Sequence, residues 1–176
     1  MLSSTLFQQK GDIKKSVQYA VKADSIAVKH EFYDWEARIA GFLSTQYRLM
    51  GMYEEGEEYL EKGKNVSAKI ENDQMKKLYL GMIFQETAYY EIEYGQYKKA
   101  NKAAKTADHY FKQLTNNEQD RNYFLATNEQ LLGRIYIGLK KWDVAFHHYN
   151  QSLEKLKQVT QENAVLSGFI YSGLGR

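Results

Sequence analysis

Apolar residues along this chain recur three and four positions apart, which is the period of a helix with one buried face, and no stretch alternates apolar and polar residues as a half-buried strand would. The pattern predicts a helix tail over Leu2 to Lys10, then a helix capped by Asp12 that runs to about Lys29. A break over His30 to Asp34 leads to helices over Trp35 to Met50 and Tyr53 to Ile70. Asn72 or Asp73 can cap the next long helix, which ends near Tyr94, and Tyr97 to Leu114 forms its partner. The polar run Thr115 to Asp120 reads as the clearest loop, although Thr115 and Glu118 also have capping-box spacing. A further helix pair ends near Val159, a break covers Thr160 to Asn163, and a last helix starts at Val165. The chain has no proline, so nothing interrupts these helices from within.

A longer period lies over the helical one. Gly11, Gly51, Gly95 and Lys140 mark tight turns spaced 40, 44 and 45 residues apart. Five residues after them stand Ser16, Gly56, Ala100 and Ala145; twelve after stand Ala23, Gly63, Ala107 and Ser152; seven before stand Ser4, Ser44, Ala88 and Gly133. All twelve are Gly, Ala or Ser, types that make up only 35 of the 176 residues, so the columns follow the turns rather than composition. Small residues are needed where antiparallel helices approach to about 8–10 Å. Bulky residues fill the gaps: Ile13, Tyr53, Tyr97 and Trp142 two after the turn, and Phe7, Tyr47, Glu91 and Tyr136 four before it, with Glu91 the exception.

The last full unit, Leu132-Gly133, Tyr136, Trp142, Ala145, Tyr149 and Ser152, resembles the tetratricopeptide repeat (TPR) family at that family's spacing. The resemblance implies an all-α, TPR-like α-solenoid of antiparallel helix pairs, about four pairs plus one extra helix. The units fall at about 1–30, 31–71, 72–115, 116–160 and a partial 161–176, in one repeat domain. The period is longer than the family's usual 34 residues, as in the long-helix TPR arrays of bacterial sensor and regulatory proteins. Leu174-Gly175-Arg176 repeats Leu132-Gly133-Arg134, so the frame predicts a fragment of a longer polypeptide that stops inside a first helix. The apolar residues of that helix, Val165, Leu166, Phe169, Ile170 and Leu174, are then expected to lack a covering helix and to favour a homodimer.

Composition narrows the function. The net charge of +2 gives no footprint for nucleic acid, no apolar run approaches the roughly 20 residues of a membrane span, and no cysteine is present for disulfides or thiol chemistry. The four histidines (His30, His109, His147 and His148) form no zinc-protease or di-iron spacing, and His147 and His148, adjacent on a helix, point to different faces. Glu54, Glu57, Glu58 and Glu61 line a helix stripe that reads as a solvated face near Lys62 and Lys64 rather than a cation site. Gly173-Leu174-Gly175 follows no strand, so it is not a nucleotide loop. No enzyme activity, cofactor or metal is expected.

Stacked repeats build an extended binding surface, and in TPR proteins the first helix of each unit lines it. The frame assigns to that face Arg38, Phe42, Thr45 and Arg48 in one unit, Gln85 and Tyr89 in the next, and Gln130 and Arg134 in the next. Thr5, Gln8 and Arg176 hold the corresponding places at the two ends. Arginines there can pair with carboxylates through bidentate hydrogen bonds, and Phe42 and Tyr89 can anchor apolar side chains. The family's lysine and asparagine clamp for C-terminal carboxylates is not reproduced, since Gly41, Thr45 and Gln85 stand in its places. The resemblance therefore implies a non-catalytic scaffold for a protein or peptide, within a larger bacterial regulatory or sensory protein that is cytoplasmic or the periplasmic part of a membrane-anchored regulator. The rival is a small-molecule-binding domain or enzyme using a pocket between helices.

Overall fold

The computed structural model describes residues 12–159 and 164–175. The expected first helix of the first unit, including Ser4, Thr5, Phe7, Gln8 and the Gly11 turn, lies outside the described residues, as do the Thr160 to Asn163 break and Arg176. The described residues form eight α-helices: α1 (Ile13–Lys29), α2 (Tyr33–Leu49), α3 (Tyr53–Ser67), α4 (Asp73–Glu93), α5 (Tyr97–Lys112), α6 (Glu118–Gly138), α7 (Trp142–Leu156) and α8 (Ala164–Leu174). The chain is all-α, built of helices packed in adjacent pairs in the manner of a solenoid repeat. Two compact units divide between Glu86 and Thr87, within α4.

The turns follow one design. Gly51, Gly95 and Lys140 all have positive φ, at 74°, 68° and 58°. At each, two backbone bonds close the helix end. Gly51 N donates to Arg48 O and Met52 N to Tyr47 O; Gly95 N donates to Ile92 O and Gln96 N to Glu91 O; Lys140 N donates to Ile137 O and Lys141 N to Tyr136 O. This double bond to the last carbonyls is the Schellman motif. It returns the chain within two residues and so sets the paired helices side by side. Glu31, at φ 55°, makes the same motif between α1 and α2.

Helix starts are capped as expected at Asp12, which accepts from Lys15 N at 3.1 Å, and at Asn72, which accepts from Met75 N at 3.0 Å. The run Thr115 to Asp120 is not all loop. Asn117 accepts from Gln119 N and Asp120 N, so α6 begins at Glu118. An Asn side chain reaching the N2 and N3 amides caps the helix two residues after Thr115.

The small-residue columns lie where helices touch. Of their eleven described members, ten are buried and Ala23 is half-buried. An added Cβ at Gly63 would stand 2.6 Å from Ile83 Cδ1, and at Gly138 it would run into the Tyr97 ring. Ser152 does more than leave room: its hydroxyl donates to Ala126 O at 2.6 Å and ties α7 to α6. Asn128 similarly donates to Ala104 O at 2.9 Å and ties α6 to α5. The bulky columns also pair across the turn. Tyr47 stacks on Tyr59, and at the same register Tyr136 stacks on His148.

In the first unit, Val17, Ala20, Ala27, Ile39 and Leu43 form one core cluster, and Ala37, Val66, Ile70 and Tyr79 another. In the second unit the α5 alanines pack with Leu131, Leu132 and Ile135, while Ala126, Ala145, Tyr149, Leu156 and Ile170 form a further cluster. Because α6 touches α5, α7 and α8, it buries residues on several faces and has no single apolar stripe. Ile170 is fully buried and Leu174 packs on the same cluster, which corrects the expectation that both lack cover. At these two residues α8 packs onto α6 and α7. The side chains of Val165, Leu166 and Phe169 lie outside the described residues.

Candidate functional site

The eight residues assigned to the binding face divide between the two units, and each group has its own geometry. In the first unit, α2 carries Arg38, Phe42, Thr45 and Arg48, and α4 carries Gln85. Arg38 is exposed, and its guanidinium carbon lies 5.5 Å from the Trp35 ring centroid, a cation–π contact between residues three apart on one helix. Phe42 is half-buried against the first core cluster, so it is partly committed to packing. Thr45 donates to Gly41 O at 3.1 Å within its own helix, a bond that occupies its hydroxyl hydrogen.

Arg48 departs from its expected role. Its Nε lies 2.7 Å from Glu86 Oε1, and both side chains are only 10% exposed. The pair joins the last turn of α2 to α4, so a carboxylate 38 residues away consumes the cation. Arg48 is therefore a structural ion pair, not an open carboxylate receptor. Gln85 is half-buried nearby in sequence.

In the second unit, Gln130 is 6% exposed, which corrects its place on an open face. It lies on the side of α6 that the neighbouring helices cover. Tyr89 and Arg134, each six residues before its turn, come together instead: the Arg134 guanidinium carbon sits 5.4 Å from the centroid of the Tyr89 ring. Tyr89 packs on the Ala88–Ala100–Leu131 cluster beneath, which fixes the ring, and Arg134 is exposed above it. Among the described residues no carboxylate pairs with Arg134. The arginine keeps its hydrogen-bonding fork available while the ring limits its rotamers.

Three polar arrangements were not legible in the sequence. Lys62, expected on a solvated face, turns inward. Its Nζ lies 2.6 Å and 2.8 Å from the two Asp24 oxygens and 3.3 Å from Glu36 Oε1, joining α3 to α1 and α2. Burial works against its ammonium, but the hydrogen bonds to Asp24 and then Glu36 outweigh it and raise its pKa. His148 is half-buried, with Nδ1 2.7 Å from Glu129 Oε2, while His147 is exposed. Burial pushes the phenol of Tyr79 up; the charge of Arg38 acts against this and Asp34 with it. Each of these joins residues on different helices, so no local spacing announced it.

Among the described residues no group of three or more His, Asp or Glu side chains is placed to hold a metal ion, and no helix is long and apolar enough to cross a membrane. A cleft of about 260 Å³ opens in the second unit between α6, α7 and α8, lined by Ile137, Trp142, Phe146, Tyr149, Gly173 and Leu174. Trp142 and Phe146 are exposed at its mouth.

No family model matches the chain, and no curated protein matches it in sequence. Among solved structures it is similar to the crystal structure of BtubC (BKLC) from P. vanneervenii, with a TM-score of 0.69 and 13% identity. The match covers 91% of this chain and 63% of the BtubC chain, so this chain spans less than two thirds of that protein's length. At this identity the likeness concerns the fold alone.

Proposed function

We propose that this chain is a non-catalytic scaffold of the TPR type that binds a protein or peptide, as the interaction part of a larger bacterial regulatory or signalling protein. A cytoplasmic location goes with that reading. The observation that carries it is the exposed Arg134 guanidinium held over the fixed Tyr89 ring with no carboxylate beside it. Such a pair offers a bidentate donor for an acidic group and an aromatic plate for the chain that bears it. Repeat arrays use surfaces of this kind for extended ligands.

The test is a peptide display selection against the chain, followed by titration of the selected peptides. Selected sequences are expected to carry a carboxylate, and Arg134→Ala should weaken them about 10- to 100-fold, the worth of a charge-assisted hydrogen bond. Peptides that bind the Arg134→Ala and Tyr89→Ala variants as well as the parent would remove this site from the reading. The cleft lined by Trp142, Phe146 and Leu174 favours the second reading, a small-molecule site between helices. Native mass spectrometry of the purified chain separates the two, since a retained small molecule would favour the cleft.

A further inference from the structure

The second helices of two successive repeats carry opposite charges at the same register. Counted from Gly51 and Gly95, positions three, seven and ten hold Glu54, Glu58 and Glu61 on α3 but Lys98, Lys102 and Lys105 on α5. All six are exposed. Steps of four and three residues keep each triplet on one stripe of its helix, about two turns long. Five of the six have no ion-pair partner among the described residues, and Glu61 has only a 3.5 Å contact with Lys64.

On α5 the charges oppose the helix itself. Lys98 and its neighbour Lys99 stand in the first turn, which has no acidic residue. The helix dipole disfavours cations there and favours the acidic residues that α3 has at the same place. Solubility alone would be served by glutamates on α5 with a more stable helix, so the lysines answer to something outside it.

We propose that the two stripes are the halves of one electrostatic interface between copies of this chain, the α3 stripe of one copy lying along the α5 stripe of a second. The net charge of only +2 supports a partner of this kind, because the carboxylates that match the lysines in number and spacing are in the same sequence. A polyanion such as nucleic acid or an anionic membrane would account for the lysines and leave the matching acidic stripe without a role. The interface uses the second helices of the repeats and leaves the Arg134–Tyr89 face to its own ligand, so it goes beyond the peptide-binding reading and stands without it. Exposed ion pairs are individually weak and screened by salt, so the association is concentration-dependent and reversible.

The experiment is sedimentation of the chain at rising concentration, at about 0.01 M salt, where charges reach about 30 Å, and at about 1 M, where they reach about 3 Å. The apparent mass should climb to about twice the monomer's or more at low salt, as one copy docks on another, and return to the monomer's at high salt. Lys98→Glu/Lys102→Glu/Lys105→Glu and Glu54→Lys/Glu58→Lys/Glu61→Lys should each stay monomeric alone. Their equimolar mixture should associate, because each then offers the stripe the other needs. The lysine variant relieves the dipole conflict on α5, so its helicity by circular dichroism should be retained and loss of association cannot be read as unfolding. A wild-type monomer at low salt overturns the proposal, and so does a mixture of the two variants that fails to associate. Binding of the wild type to anionic phospholipid vesicles or to a short RNA duplex, lost in the lysine variant while sedimentation shows no salt dependence, would assign the stripe to a polyanion instead.

Discussion

Replacing Gly133 with alanine sets two effects of opposite sign against each other at one position. Gly133 lies inside α6 and is buried. Alanine in a helix interior is favoured over glycine by about 0.8–1.0 kcal/mol. Against that, the new Cβ would stand 2.7, 2.8 and 2.9 Å from Cε1, Cζ and Cδ1 of Tyr149. Carbon atoms rest at about 3.5–4.0 Å, so the ring would have to retreat by roughly 1 Å. It has nowhere to go. A Cβ built on Gly173 would lie 2.3 Å from Tyr149 Cζ, so the ring is already pressed between the backbones of α6 and α8, and it is only 2% exposed. Overpacking a clamped site costs about 1–3 kcal/mol, and clamping on both sides puts this one near the top of that range. The net expectation is a loss of about 1–2 kcal/mol.

Urea unfolding followed by circular dichroism measures it, with two controls. A Cβ at Gly41 comes no closer than 4.0 Å to Ile83 Cδ1, and one at Gly168 meets nothing within 4 Å. Gly41→Ala and Gly168→Ala should therefore gain up to about 1 kcal/mol from propensity alone. In a Tyr149→Leu background Gly133→Ala should change sign and become stabilising, as expected of residues in direct contact. If Gly133→Ala stabilises the parent chain as the controls do, the clamp is not there and the repeat frame that places Gly133 at a helix crossing is wrong.

Arg48→Glu should destabilise the chain by about 3 kcal/mol or more, because it breaks a pair that is largely out of water and sets two carboxylates together; Arg134→Glu, at an exposed site, should stay within about 0.5 kcal/mol of the parent, and equal effects of the two would show that the structural and open arginines have been confused. Lys140→Gly should add about 0.5–1 kcal/mol, since a lysine at φ 58° is strained where glycine is not; an unchanged urea midpoint would count against the strain. The raised pKa of Lys62 predicts a stability contribution that is complete below its ordinary value of 10.5 and is lost as pH rises through the folded value. Alkaline unfolding should therefore begin at lower pH in the parent than Lys62 alone would require, because Tyr59 and Tyr79, both raised first by burial, lose stability in the same direction. Lys62→Met should flatten the part of the pH dependence above pH 10.5 that belongs to the ion pair, and an unaltered slope would place the ammonium outside the network.

The fold was legible because it is written in residue size and backbone conformation, both of which are local properties. A glycine that can take positive φ marks a turn wherever it stands, and a Gly, Ala or Ser column at constant distance from that turn marks a crossing. Even Lys140, which lacks glycine's freedom, takes the turn conformation because the helices on both sides require it. The candidate site was legible only in part, because side-chain partners depend on register between helices far apart in sequence. Nothing near Arg48 announces Glu86, and nothing near Lys62 announces Asp24. The cap at Asn117 shows a smaller form of the same limit: several polar residues were able to cap α6, and geometry selected one.

The fates of Arg48 and Arg134 show what a repeat frame can and cannot assign. Both lie in the last turns of first helices, three and six residues before their turns, and both were placed on one face. The offset of three residues keeps the face but moves the side chain almost one turn along the helix, and one guanidinium meets the Glu86 carboxylate while the other lies over the Tyr89 ring. The frame fixes which helix a residue is on and how far it stands from the turn. Whether the side chain then serves the scaffold or a ligand depends on what the neighbouring repeat presents at that height. An arginine opposite a carboxylate becomes structure, and an arginine opposite a tyrosine remains available. The same logic reaches the second helices, where Glu58 and Lys102 share a register position but not a charge. A repeat keeps positions constant so that helices can stack, and function enters where the residue at a constant position is allowed to differ.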